Sequence, residues 1–206
     1  MTKRQQQQNL PPSLDGGYTI IESLVAMIVV SVLMIAIAPV MAFSVATRVQ
    51  ARRTELATQA GKAYIDALRT GAIKFGGSGF PKAAPANDLA GTPPPVVGDT
   101  YCVDMGGSCD SSNKDFNKDF YVQGAWLNQN ATGTDPTSKG YQLLVRVYRA
   151  DSFAQGVTLR APKDAKQSVV GSGLGDKTIP VVEMSTEIPA AGTPSYSSIS
   201  DRLKKP

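Results

Sequence analysis

The sequence predicts an α+β protein in which a long N-terminal helix packs on a small antiparallel sheet. First, Ser23 to Thr47 is an apolar stretch without a charge. Second, the residues after it keep helical periodicity as far as Thr70. Third, short segments with alternating apolar side chains follow, which is typical of strands. Because a small open sheet is unstable alone, its apolar face needs a cover, and the helix can supply it.

The composition argues against several function classes. The chain has 206 residues, 21 basic and 17 acidic, for a net charge of +4. This small excess is spread along the chain, so we expect no nucleic-acid partner. The absence of histidine removes the commonest acid–base catalyst and the commonest metal ligand. We therefore predict no enzyme activity, no catalytic residue, no metal and no cofactor.

Residues 1–17 form a polar leader with two basic residues, Lys3 and Arg4, and a glutamine run. Nothing in it can contribute to a core, and we expect it to be disordered. Residues 18–47 are predicted to be a transmembrane helix. The 25 residues from Ser23 to Thr47 exceed the roughly 30 Å of hydrocarbon at about 1.5 Å per residue. The stretch is also longer than the apolar region of a secretory signal.

Residues 48–71 are predicted to continue the helix as an amphipathic segment, with Gly71 as its C-terminal stop. Two helices with a bend at Pro39 or near Arg52 are the alternative. Polar residues spaced by three and four form one face, namely Arg48, Arg52, Glu55, Gln59, Lys62, Asp66 and Arg69. The opposite face carries Val45, Val49, Leu56, Ala60, Ala63, Tyr64, Ala67 and Leu68.

Residues 72–188 are predicted to form the globular domain, and residues 189–206 a flexible tail. A stretch rich in glycine and proline, residues 71–100, is expected to be an irregular loop. The predicted strands are Asp119–Leu127, Tyr141–Tyr148 and Thr178–Ile188, with Gly156–Arg160 as a weaker candidate.

The two cysteines, Cys102 and Cys109, enclose six residues. An even, low count at close spacing predicts one disulfide in an oxidising compartment, with free thiols as the alternative. Zinc needs more ligands than these two. Nearby, oxygen-bearing side chains alternate from Asn113 through Asp115 to Asp119, as in a calcium loop, but the glycine and glutamate of an EF-hand are missing. A solvated turn is the preferred interpretation there.

The junction of leader and helix reads Gly17-Tyr18-Thr19-Ile20-Ile21-Glu22. It resembles the processing site of type IV prepilins and of type II secretion pseudopilins. Glu22 stands where that family has its glutamate, and Pro39 where many members have proline. Tyr18 replaces the usual phenylalanine, and Ile20 and Ile21 replace leucine and isoleucine. The resemblance covers about a third of the chain.

The resemblance implies a pilin-like fold, cleavage between Gly17 and Tyr18 by a prepilin peptidase, and N-methylation of Tyr18. It gives Glu22 a role in filament assembly, because the new terminal amine of a neighbouring subunit could pair with this carboxylate. A simple position at the lipid headgroups is the alternative for Glu22. Pro39 removes a helical hydrogen bond to Ile35 and could loosen the helix during assembly, or could be an ordinary transmembrane proline.

The resemblance further implies a structural subunit, a minor pilin or pseudopilin of a pilus or secretion filament serving motility or secretion. Its partners would be prepilin peptidase, other pilins and an inner-membrane assembly platform. The protein would cross the cytoplasmic membrane once, with the C-terminal domain outside. Arg48, Arg52 and Arg53 would by charge counting favour the opposite orientation, but the cysteine pair and the leader outweigh them.

One helix segment, 52–66, resembles cyanobacterial pseudopilins linked to hormogonium polysaccharide secretion and gliding. Two other function classes stay open. A single-pass anchored protein with a ligand-binding outer domain would retain residues 1–17. An envelope enzyme could use carboxylates such as Asp99 with Asp104, or Asp115 with Asp119, although nothing in the sequence places them in a cleft.

Overall fold

A computed structural model describes residues 19–85, 88–96, 98–104, 119–128, 135–160, 175–192 and 196–203. The chain divides into two compact units, Met1–Ser44 and Val45–Pro206. Among the described residues, the elements in order are α1 (Ile20–Arg69), β1 (Lys82–Ala83), β2 (Tyr101–Val103), β3 (Phe120–Leu127), β4 (Tyr141–Arg149), β5 (Val182–Ile188) and α2 (Tyr196–Leu203). Two short 3-10 turns, Pro136–Ser138 and Ala150–Phe153, flank β4.

The predicted single helix is confirmed, since α1 runs from Ile20 to Arg69 with Pro39 inside it. Gly71 ends it as expected. Its φ of 74° is a left-handed conformation that glycine adopts without steric cost. The amide of Ile73 donates to the carbonyl of Ala67 at 3.1 Å and so satisfies one C-terminal carbonyl.

The sheet is mixed rather than purely antiparallel, which corrects one detail of the prediction. β3 pairs with β4 and β4 with β5, both antiparallel, in registers such as Gly124↔Val145 and Val145↔Met184. The outer edge of β3 is shared by two short strands. β2 covers its first residues in antiparallel fashion, and β1 covers Ala125 and Trp126 in parallel. β1 is parallel to β3 because the loop after α1 runs beside β3 in the same chain direction.

The second unit has a core in which the C-terminal half of α1 packs on the sheet. The side chains of Ala57, Ala60 and Tyr64 are at most 1% exposed, as are Leu143, Val145 and Val147 of β4. All seven residues of the predicted polar helix face are exposed. Of the predicted apolar face, Val45, Val49 and Ala63 are exposed too, and the buried stripe includes Ala57, Gly61 and Ile65 instead. The core cluster contains Ala57, Ala60, Tyr64, Ile65, Leu68, Ile73, Phe120, Val122, Trp126, Tyr141, Leu143, Val145, Val147 and Ile188.

Two glycines allow the helix and the sheet to approach closely. A Cβ added to Gly61 would lie 2.0 Å from Met184 Cε, and one added to Gly124 would lie 2.3 Å from the Tyr64 oxygen. A larger residue at Gly124 would overpack the core, because Tyr64 and Pro81 both occupy that space, whereas at Gly61 the flexible end of Met184 could shift.

The other face of the sheet is covered by the proline-rich loop, which the sequence did not predict. Arg146 of β4 is 1% exposed and donates to the carbonyls of Thr92 at 2.6 Å and Ala90 at 3.1 Å. Its Nε also donates to Glu183 Oε2 at 2.7 Å. Beside it, Gln123 Nε2 donates to the carbonyl of Pro93 at 2.8 Å. These bonds fix residues 90–93 over the sheet.

Of the remaining predictions for strands and tail, some are confirmed and others differ from the structure. β3 and β4 agree with the predicted strands to within a residue, whereas β5 begins at Val182 instead of Thr178. Gly156–Arg160 is not a strand, although the amide of Arg160 donates to the carbonyl of Thr178 at 2.8 Å. Within the segment predicted to be a flexible tail, Tyr196–Leu203 is helical.

Candidate functional site

The apolar half of α1 is a large exposed hydrophobic surface. Every residue from Thr19 to Val45 is exposed. Its large apolar side chains are between 51% (Val29) and 86% (Ile20) exposed. By length and composition, the helix is long and apolar enough to cross a membrane. Exposed apolar surfaces of this extent are typical of regions that contact a membrane or another protein.

Two serine hydroxyls in this half donate hydrogen bonds within the helix itself. Ser23 Oγ donates to the carbonyl of Ile20 at 2.8 Å, and Ser31 Oγ donates to that of Met27 at 2.7 Å. A hydroxyl bonded within its own helix needs no water, so these serines can enter a hydrocarbon environment at little cost.

Glu22 is the only ionisable side chain between Thr19 and Thr47. It lies in the first turn of α1 and is exposed. The amide of Glu22 donates to the Thr19 carbonyl at 3.0 Å and approaches the Thr19 hydroxyl at 3.4 Å. The spacing Thr-x-x-Glu at a helix start is that of a capping box, in which a carboxylate is favoured by the unpaired amides. Sequence reasoning missed Thr19, although this pattern is visible in the sequence.

Pro39 lies inside α1, exposed on the apolar half. It has no amide hydrogen, so the carbonyl of Ile35 lacks its usual helical donor there. The helix continues through Pro39 without a break. Pro39 and Glu22 thus both lie on the exposed apolar half of α1.

Several predicted site residues lie outside the described residues. These are Gly17 and Tyr18 of the cleavage site, Cys109, and Asp115 of the loop compared with a calcium site. Cys102 lies in β2 and is disulfide-bonded, and its pairing with Cys109 stays a prediction. Asp119, at the end of that loop, is fully buried before β3.

A cavity of about 620 Å³ opens where α1 ends, within the second unit. Its lining combines cationic Arg69 and Lys74, the carboxylate of Asp135 and the aromatic rings of Phe75 and Tyr141. Burial raises the pKa of Tyr141 to about 12, and the negative charge of Asp135 acts in the same direction. Cavities of this size accept small ligands, and the mixed lining could hold a polar molecule with an apolar face.

Among the described residues, no group of three or more cysteine, aspartate or glutamate side chains is placed to hold a metal ion. Comparison with protein-family models, with curated proteins and with solved structures finds no match to the chain. The long apolar helix, packed on a sheet through its C-terminal half, is nevertheless a pilin-like layout.

Proposed function

We propose that this chain is a minor pilin or pseudopilin, a structural subunit of a type IV pilus or type II secretion-like filament. The observation that carries the proposal is the exposed apolar half of α1 with one carboxylate, Glu22, in its first turn. In the membrane, lipid would cover this half. In a filament, the same half of neighbouring subunits would cover it, so one surface serves both states.

In this proposal a prepilin peptidase cuts between Gly17 and Tyr18, and the amine of Tyr18 is methylated. Glu22 then pairs with the terminal amine of a neighbouring subunit and fixes the axial register, since a buried charge is tolerated when it is paired. The outer domain lies outside the cytoplasm, and an inner-membrane assembly platform adds the subunit to the filament. The role is structural rather than catalytic, and it supports motility or secretion, with polysaccharide as one candidate cargo.

Mass spectrometry of the N-terminal peptide, from protein isolated out of its native membrane, tests this proposal. We expect a peptide that begins at Tyr18 with a methylated amine. Gly17→Leu should give only the precursor, because a bulky side chain replaces the small one at the cut. Gly17→Ala is the matched control and should still be processed.

A second candidate function is a single-pass anchored binding protein, favoured by the cavity at the end of α1. Such a protein needs no cleavage, and it would give an N-terminal peptide that still carries residues 1–17. That result would remove the proposed partner of Glu22 and would make the cavity the main functional site.

A further inference from the structure

Three arginines follow directly after the apolar half of α1. Thr47 ends the uncharged stretch, and Arg48 is the next residue. Arg48 and Arg52 are both exposed and lie one helical turn apart on the same face. Arg53 is half-buried and lies within electrostatic reach of Arg149 and Asp151. These three residues, Arg48, Arg52 and Arg53, are called the arginine collar below.

The domain adds a fourth guanidinium next to the collar. The pKa of Arg53 is lowered by burial and by the positive charge of Arg149, while the carboxylate of Asp151 opposes that shift. Arg149 itself donates a hydrogen bond to Asp151. On the helix, the nearest acidic residue is Glu55, which is exposed. From Arg48 to Thr54 the helix carries three basic residues and no acidic one, so this segment is positively charged.

The position of the collar matches the chemistry of a lipid headgroup. If residues up to Thr47 cross the hydrocarbon layer, the next turn of helix lies among the phosphates of the adjoining leaflet. The apolar stem of an arginine can follow the hydrocarbon boundary while its guanidinium reaches outward. The planar guanidinium donates two parallel hydrogen bonds to a phosphate, which an ammonium group cannot do as well.

We propose that the arginine collar binds the phosphate of anionic phospholipids in the leaflet next to the outer domain. The inference rests on the proposed function only in requiring that α1 cross the membrane. It needs neither cleavage at Gly17 nor the pairing of Glu22. The site selects an anionic lipid such as phosphatidylglycerol over zwitterionic phosphatidylcholine, whose choline group would place a positive charge near the arginines.

Native mass spectrometry of the full chain in detergent tests this inference. The protein is mixed with equal amounts of phosphatidylglycerol and phosphatidylcholine of the same acyl chains, and the retained lipids are counted. We expect the unaltered chain to retain phosphatidylglycerol preferentially. Arg48→Gln with Arg52→Gln should reduce that preference by about fivefold per arginine, since each basic residue near an anionic surface contributes about 1 kcal/mol.

The matched control removes two exposed lysines away from the collar, Lys62→Gln with Lys177→Gln. This variant has the same net charge as the double arginine variant and should keep the preference. Circular dichroism should show the same helix content in all three proteins. Glycerol 3-phosphate, which carries the phosphate without acyl chains, should not be retained.

The inference is overturned if the unaltered chain retains both lipids equally, or if the two double variants lose the preference to the same extent. Retention of glycerol 3-phosphate would also overturn it, by assigning the arginines to a soluble anion. A chain that keeps residues 1–17 in its native membrane but prefers phosphatidylglycerol would remove the filament role and leave the collar in place. A processed chain without the preference would keep the filament role and remove the lipid site at the collar.

Discussion

The hydroxyl of Tyr64 occupies the space above Gly124. A Cβ atom at Gly124 would lie 2.3 Å from the Tyr64 oxygen and 2.7 Å from Pro81 Cβ. The same hydroxyl donates a hydrogen bond to the carbonyl of Gly79 at 2.8 Å. Tyr64 therefore connects α1, β3 and the start of the following loop, and the missing side chain of Gly124 makes room for it.

Gly124→Ala should lower the free energy of unfolding by about 1–3 kcal/mol, because the added methyl group overpacks a filled site. Denaturant unfolding of the full chain in detergent measures it. Gly192→Ala is the control, since no atom lies within 4 Å of its added Cβ. Combining Gly124→Ala with Tyr64→Phe should cost less than the sum of the two single changes. Strict additivity would contradict the contact.

Arg146→Met should lower the free energy of unfolding by about 3 kcal/mol. The change removes the Arg146 donor from the buried carbonyl of Thr92 and from the carbonyl of Ala90, and it removes the partner of Glu183. Limited proteolysis should also cut residues 88–96 faster, because the loop loses its attachment to the sheet. Glu183→Gln is the milder control, since the Glu183 side chain is 38% exposed. An unchanged cleavage rate in Arg146→Met would mean that other contacts hold the loop.

Stability should fall as the pH rises above 10. Burial raises the pKa of Tyr141 and of Tyr148 to about 12, and it raises that of Tyr64 as well. Above pH 10 the unfolded tyrosines lose protons that the folded ones keep. Each buried tyrosine therefore contributes a loss of about 1.4 kcal/mol per pH unit between its unfolded and folded pKa values.

Denaturant unfolding between pH 8 and pH 11.5 measures this slope. Tyr148→Phe should reduce the slope, because one of the buried tyrosines no longer titrates. Tyr196→Phe is the control and should leave it unchanged, since Tyr196 is 87% exposed. Equal slopes in Tyr148→Phe and in the unaltered chain would rule out the contribution of that residue.

Glu22→Gln and Glu22→Ala should leave membrane insertion intact but reduce incorporation into filaments by at least about tenfold, as expected when one partner of a buried charge pair is removed. Sheared filaments and membranes are compared by immunoblot. Glu55→Gln changes an exposed carboxylate of the same helix beyond the apolar half and should assemble normally. Normal incorporation of both Glu22 variants would end the register role and leave Glu22 as a helix-capping residue.

Cys102→Ser should abolish the mass difference between reduced, alkylated protein and oxidised protein. It should also lower the free energy of unfolding by about 2.5 kcal/mol, which chain-entropy reasoning assigns to a loop of this length. Peptide mapping of the oxidised chain should show Cys102 linked to Cys109. A disulfide between two copies of Cys102 would contradict the predicted intramolecular pair.

The sequence predicted the elements whose signals are local. α1 is marked by an uninterrupted apolar stretch, a helical pattern and a glycine stop. β4 is marked by the alternating segment Tyr141–Tyr148, and the observed strand extends one residue further, to Arg149. The strands β1 and β2 were not predicted because they have two and three residues, which is too few to show the alternation of apolar and polar side chains. Their place is set by pairing with β3, which no local pattern encodes.

The features of the candidate site also divide into those that have a local sequence signal and those that do not. The exposed apolar half and the place of Glu22 follow from sequence, because charge and hydropathy alone define them. The hydrogen bonds of Arg146 to the loop carbonyls of Ala90 and Thr92 do not follow from the sequence, since an arginine at an alternating position usually faces solvent. Only the loop carbonyls that surround Arg146 explain why it is buried.

The first buried residue of the described chain is Gln50, and every described core residue lies beyond it. Within the described residues, the core of the second unit is therefore built from residues beyond Gln50. Under the proposed filament role, the apolar half would exchange one nonpolar solvent, lipid, for another, a bundle of identical helices, and the described core would keep its internal contacts. Extraction from the bilayer would then be work against lipid, with no unfolding of that core added to the barrier.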